Sequence, residues 1–145
     1  MKIEIIKQFS VFMPNRPGAL SGLARLFAEK GINLLGIASD VRDDSGMIRI
    51  AVEAKAEVSA ILSQAGFASV ETRLLSIELS NKSGELYRIT KILAEGKINI
   101  TTVYGTAIGG HSCRILIAAE HTEKAKNLLE RLCEAEPLAA NNHIE

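Results

Sequence analysis

Asn15-Arg16-Pro17-Gly18-Ala19-Leu20 is answered 66 residues later by Asn81-Lys82-Ser83-Gly84-Glu85-Leu86. Ile32-Asn33-Leu34 is answered by Ile98-Asn99-Ile100 at the same offset, with no gap. Between and beyond these islands Ser10/Ser76, Ala28/Ala94, Glu29/Glu95, Glu57/Glu123 and Leu62/Leu128 are identical. Val11/Ile77, Leu23/Ile89, Arg25/Lys91 and Ile50/Leu116 are conservative pairs. Self-similarity at a fixed period marks a duplicated unit. A chain of 145 residues therefore divides into two related copies. Copies this small bury too little surface to be stable alone, so the halves are expected to share a sheet or an interface.

Within one copy the periodicity names the elements. Phe9, Val11 and Met13 alternate with other residues and read as a strand over 8–13. Asn15-Arg16-Pro17-Gly18 is a turn and a helix start together. Leu20, Leu23, Ala24, Phe27 and Ala28 recur at helical spacing, and Gly31 ends that helix. A second strand runs from Asn33 to Val41. Asp43-Asp44-Ser45-Gly46 makes a hairpin turn, and Met47 to Glu53 forms the third strand. A second helix over 56–65, with Val58, Ile61 and Leu62 on its core stripe, leads to a fourth strand over 67–73. The order β-α-β-β-α-β is the split, ferredoxin-like plan, an α+β class in which helices cover one face of an antiparallel sheet. The second copy repeats it with strand 74–80, helix 84–95, strands 98–108 and 111–119, and helix 122–133.

The second copy lacks a fourth strand. Residues 134–145 hold Pro137 and Asn141-Asn142, have no strand period and read as a C-terminal tail. Residues 1–7 have no counterpart upstream, yet the offset lays them on 67–73. The division expected is a first unit at 8–73 and a second at 74–133, with 1–7 supplying the second unit's fourth strand. Strands 1–13 and 67–80 would then form one long antiparallel pair.

Composition narrows the chemistry. The formal net charge is zero, which argues against nucleic acid, whose binding draws on excess Lys and Arg. The RNA-recognition fold shares this strand order, but it needs stacking aromatics on strands one and three. Met47–Glu53 and Cys113–Ala119 contain no aromatic residue. No apolar run approaches a membrane span, and charges scattered through Met1–Lys7 exclude a signal-peptide core, so the cytoplasm is the expected compartment. Cys113 and Cys133 form no CxxC pair and read as small buried thiols. His111, His121 and His143 share no ligand spacing, so no metal or cofactor is expected. Asp43-Asp44 is turn chemistry. No Ser-His-Asp, Cys-His or paired-carboxylate arrangement indicates an enzyme.

The segments Val11–Leu20 and Phe27–Leu34 resemble the ACT domain, a small-molecule-binding regulatory module, typically for amino acids. Its hallmarks are an Asn or Asp followed by Gly and Leu after strand one, and a Gly-[Ile/Val]-Asn-[Ile/Leu] run opening strand two. The resemblance covers nearly the whole chain as a tandem pair. The second copy is more diverged, with Lys97 in place of Gly31 and Ser83 in place of Pro17. It implies no catalytic residues. It implies ligand contacts from Asn15 and Asn33 and from Asn81 and Asn99. Where some ACT domains carry a polar residue two positions before the turn Asn, this chain has Met13 and Leu79.

Physical chemistry points to the same turn. A helix N-terminus offers unpaired N–H groups and partial positive charge. Gly18 lets a carboxylate approach that backbone, Asn15 has both donors and an acceptor, and Arg16 and Lys82 add positive charge. The alternative is that Asn15 and Asn81 are only helix caps. The candidate ligand-binding residues are Asn15, Arg16, Pro17, Gly18, Ala19, Leu20, Asn33, Asn81, Gly84 and Asn99. Glu85, where the first copy has Ala19, places a carboxylate in the first helical turn and favours the first copy as the binding one.

A helix over 18–30 separates Asn15 from Asn33 by roughly 20 Å, so one small amino acid does not reach both within a copy. A site using both types needs two copies in antiparallel array. The second strands at 33–41 and 98–108 are the expected free edges, which invite pairing with another chain. The reading is a non-catalytic regulatory protein that binds an amino acid or related metabolite, dimerises through those edges and acts on a separate metabolic enzyme. The alternative is an interaction or assembly module without a ligand.

Overall fold

The computed structural model describes residues 1–135. The elements run β1 (Lys2–Pro14), α1 (Ala19–Glu29), β2 (Gly36–Arg42), β3 (Ser45–Val52), α2 (Ser59–Gln64), β4 (Ala68–Ser80), α3 (Glu85–Glu95), β5 (Ile100–Gly109), β6 (Ser112–Ala119) and α4 (Thr122–Ala135). The fold is α+β, two ferredoxin-like units in tandem. One compact unit is Ile6–Leu74, and the other joins Met1–Ile5 to the chain from Leu75 onward. β1 and β4 are single thirteen-residue strands, and each gives residues to both units. All but the first two residues of the expected tail, 134–145, lie outside the described residues. Those two belong to α4.

In the first unit the strand order is β2-β3-β1-β4. β1 and β3 pair antiparallel from Lys7↔Val52 to Pro14↔Ser45, and β2 and β3 from Gly36↔Ala51 to Arg42↔Ser45. Phe9, Val11 and Met13 alternate onto one sheet face with Ile48, Ile50 and Val52 and meet Leu23, Phe27, Val58 and Leu62 of the helical segments. Full burial of each such side chain contributes about 1.5–3 kcal/mol. The helical face that packs is shifted from the expected stripe. Ala19, Leu23, Leu26 and Phe27 reach the core, whereas Leu20, Ala24 and Ala28 are exposed. α2 is shorter than the expected 56–65, because Ala56 and Val58 pack on the core before the helix begins.

In the second unit β4, β6 and β5 are successive neighbours. Leu75, Ile77 and Leu79 join Ile117, Ile89, Leu93, Ala125 and Leu129, and Ile3 and Ile5 pack against this cluster. Gapless repetition fails here. β4 pairs Leu75 with Ile117, as β1 pairs Phe9 with Ile50. The counterpart of Ile50 is thus Ile117, not Leu116, and the fully buried residue answering Leu62 is Leu129, not Leu128. The extra residue is Ile108, skipped between the pairs Ala107↔Cys113 and Gly109↔Ser112. A β-bulge takes up one residue without turning the following side chains inside out. The offset is 66 before Ile108 and 67 after it. The apparent matches Ile50/Leu116, Glu57/Glu123 and Leu62/Leu128 are therefore not structural equivalents.

Both first helices of the units end alike. Gly31 and Lys97 adopt left-handed φ of 66° and 57°. Their N–H groups donate to Ala28 and Ala94, and those of Ile32 and Ile98 donate to Phe27 and Leu93, at 2.9–3.2 Å. This is the Schellman pattern, which usually employs glycine. In the second unit Lys97 adopts it with a side chain. Cys113 and Cys133 are free and partly buried.

Candidate functional site

The two loops that open the sequence are superimposable in their bonding. The N–H of Asn15 donates to the Asp44 carbonyl at 2.8 Å, and that of Asn81 to the His111 carbonyl at 2.6 Å. Arg16 and Lys82 donate back to Pro14 and Ser80, and Ala19 and Glu85 to Arg16 and Lys82. Each turn is thereby strapped to the hairpin tip of its own unit. The Asn15 side-chain amide adds a second strap, donating to the Asp43 carbonyl at 3.0 Å.

Asn15 and Asn81 are not helix caps. The N-cap positions are Gly18 and Gly84, at φ 88° and 92°, and no side chain caps either helix. A left-handed N-cap suits glycine because it has no Cβ. A Cβ at either position would still meet no atom within 4 Å, so the space in front of both helix starts is open. Ala19 already donates to Arg16 and Gly22 to Gly18, so the N–H groups at the start of α1 left to solvent or a ligand are those of Leu20 and Ser21.

The two helix starts differ in charge. α1 has no acidic residue in its first turn, whereas α3 has Glu85. Glu85 pairs with Arg88 at 2.7 Å, with side chains 20% and 27% exposed. A cavity of 310 Å³ beside them is lined by Met1, Leu79, Ser80, Lys82, Glu85 and Arg88. A carboxylate already stands at the positive end of that helix, held by its own cation. Met13 and Leu79 are core members and contribute little to either surface. Leu20 and Leu86 stand half-exposed at the mouths of the two turns.

Asn33 does not open a strand. It lies exposed in the connection between α1 and β2, which starts only at Gly36. The eleven residues of α1 separate it from the Asn15 turn by about 16 Å. Asn99 immediately precedes β5, and its side chain contacts Glu120 at 3.4 Å. The structure thus gathers Asn15, Arg16, Pro17, Gly18, Ala19 and Leu20 in one turn and Asn81 with Gly84 in another. It leaves Asn33 and Asn99 at the far ends of their helices. A groove of 450 Å³ near the first turn, with Phe12, Asp40, Arg42 and Met47 in its lining, is not among the residues the sequence suggested. Its signal is faint, since short pieces of three different strands build it. No group of His, Cys, Asp and Glu among the described residues could hold a metal ion.

The family model of the ACT domain pair matches residues 4–136. The chain belongs to this family. ACT domain pairs are regulatory domains, and the two units described above are its two ACT copies. No curated protein sequence matches the chain. Among solved structures, a protein of Bacteroides thetaiotaomicron is similar at 23% identity and a TM-score of 0.81, covering 90% of each chain. The ligand-free regulatory subunit of aspartate kinase from Thermus thermophilus is similar at 16% identity, with 90% of this ACT pair and 94% of that chain covered and a TM-score of 0.63. A structure of aspartokinase alpha and beta subunits gives 17% identity, coverage of 92% and 98%, and a TM-score of 0.63. These likenesses concern the fold. No helix among the described residues is long and apolar enough to cross a membrane.

Proposed function

We propose that this ACT pair is a non-catalytic regulatory protein whose first copy binds an amino acid, or a closely related metabolite, at the Asn15–Leu20 turn. The observation that carries the reading is the start of α1: a left-handed glycine, no capping side chain and no first-turn carboxylate. A ligand carboxylate would accept from the free N–H groups there, with Arg16 adding charge and Leu20 offering apolar contact. The Asn15 side-chain oxygen remains an acceptor for an ammonium group, because its amide donates to Asp43. Asn33 and Asn99 would complete such a site only from another copy, since α1 and α3 hold them away from their own turns.

That geometry, with β2 and β5 at the outer positions of their sheets, supports a homodimer joined through those strand edges. Half-exposed Ile37 and Val41 on β2 and Val103 on β5 support it further. The regulated enzyme would be a separate chain. Melting of the full chain against the twenty amino acids tests the reading. A ligand at 100 times its Kd raises stability by about 2.7 kcal/mol by mass action, and Gly18→Ala should erase the shift. A flat panel supports the assembly module instead, a role for which the Glu85-occupied second turn already suits the second copy.

A further inference from the structure

The first unit's sheet has a second face that the ligand reading does not use. The pairings Asp40↔Met47 and Met47↔Phe12 put these three side chains in one row across β2, β3 and β1. Arg42↔Ser45 and Ser45↔Pro14 make the next row. Alternate residues of a strand face opposite sides. Met13, Ile48 and Ile50 belong to the core, so the two rows lie on the face away from it. Phe12 is 49% exposed and the 450 Å³ groove opens there. The side chains of Asp40 and Arg42 are exposed and make no ion pair among the described residues.

The second unit is the internal control. With the bulge at Ile108 counted, Glu78 stands where Phe12 stands and Arg114 where Met47 stands. They face each other across β4 and β6 and form an ion pair of 2.7 Å. Thr106 and Gly109 replace Asp40 and Arg42. One copy neutralises this face internally. The other leaves an apolar pair beside the opposite charges of Asp40 and Arg42, with Arg49 in the next row.

We infer that the open face of the first unit is a contact between two copies of this chain. The charge order selects that occupant. Asp40 and Arg42 point the same way two residues apart on β2, about 7 Å along the strand. A two-fold axis across the strands, midway between the rows, lays β2 over its reversed twin. Asp40 then meets the partner's Arg42, Arg42 meets the partner's Asp40, and Phe12 packs on the partner's Pro14. An isologous contact needs this self-complementarity, and these six residues supply it. Two rows of three residues fall short of the roughly 800 Å² per partner of a standard stable interface, so the association is weak and concentration-dependent.

Sedimentation of the full chain over a concentration series tests this with Asp40→Arg, Arg42→Asp and their equimolar mixture. Both positions are exposed, so the variants should melt with the wild type. The wild type should gain mass with concentration, and each single variant should associate about tenfold or more weakly, because like charges then oppose across the axis. The mixture should recover the wild-type association, since one chain then presents two cations and the other two anions. Antiparallel pairing through the β2 edge can also set Asp40 against a partner's Arg42, but it leaves Phe12, two strands inward on β1, untouched. Phe12→Asp should therefore weaken the association as the single charge variants do, and association unchanged in Phe12→Asp overturns the inference in favour of the edge. A mixture that sediments as the sum of its parts overturns the inference, as does a wild type whose mass matches both variants at every concentration. A free amino acid that stabilises the wild type but not Arg42→Asp, with no change in mass, also overturns it and gives the face to a small zwitterion.

Discussion

The two copies in this chain share a backbone and differ in what they leave exposed. Both turns carry a left-handed glycine at the helix start and the same strap to the hairpin. Both cores are built from equivalent strand and helix positions. Three of the surface differences add charge to the second copy. The second copy sets Glu85 and Arg88 at its helix start, Glu78 and Arg114 on its sheet face, and Lys97 at its helix end. Each replaces an open or apolar feature of the first copy with a charged side chain, two of the three with an internal ion pair. Duplication therefore preserved what the fold requires and relaxed what an outside molecule would use.

If the cores are equivalent, equal damage should cost the same in either copy. Phe27 and Leu93 occupy matching, fully buried sites. Phe27→Ala should cost about 3–5 kcal/mol and Leu93→Ala about 2–5 kcal/mol, read from urea unfolding. A large inequality would break the equivalence and show that one copy carries the stability of the chain.

The turn glycines come next in size. Neither site crowds a Cβ, so Gly18→Ala and Gly84→Ala should each cost about 1–2 kcal/mol through the left-handed backbone alone. The thermal costs should match, while any ligand-induced shift should vanish only with Gly18→Ala. Loss of the shift with Gly84→Ala would move the binding site to the second copy.

The sequence made the α+β plan legible because duplication exposed the period twice and the Asn-x-x-Gly-x-Leu turns fixed where each α1-type helix begins. It misled where packing decides. Leu34 extends the apolar pattern of β2 backwards, yet it packs on the core from a connection, so the strand starts at Gly36. The one-residue insertion was hidden because Ile50/Leu116 and Leu62/Leu128 look alike at the wrong offset. Leu116 is fully buried although it lies off the core face that Ile50 occupies, and composition carries no record of which face a residue takes. The turn residues of the candidate site were readable as a motif. The groove at Phe12, Asp40 and Met47 was not, since it depends on register among three strands.

Smaller still is the helix-end contrast. Lys97 adopts a left-handed φ at some cost and has an exposed side chain. Lys97→Gly removes about 1–2 kcal/mol of strain but frees the unfolded chain by about 0.4–1 kcal/mol. The net gain should be about 0.5 kcal/mol, or about 1–2 °C in melting temperature. Gly31→Ala should lose about 1 kcal/mol, since its Cβ would meet nothing and only the backbone is strained. Melting of the two variants side by side measures what the second copy gave up at this position.

The smallest stability effect carries the sharpest functional contrast. Glu85 contributes a first-turn carboxylate and an i,i+3 pair with Arg88, together worth about 0.3–1 kcal/mol. Glu85→Ala should cost no more than that. It also restores the residue that the first copy has at Ala19 and leaves Lys82 and Arg88 beside an uncapped helix start. If the carboxylate is what closes the second turn, calorimetric titration of Glu85→Ala with an amino acid that binds the wild type should show more sites per chain. Ala19→Glu should show fewer. Unchanged stoichiometry in both variants would mean that the turns differ by more than this one charge, and that binding depends on residues another chain brings to them.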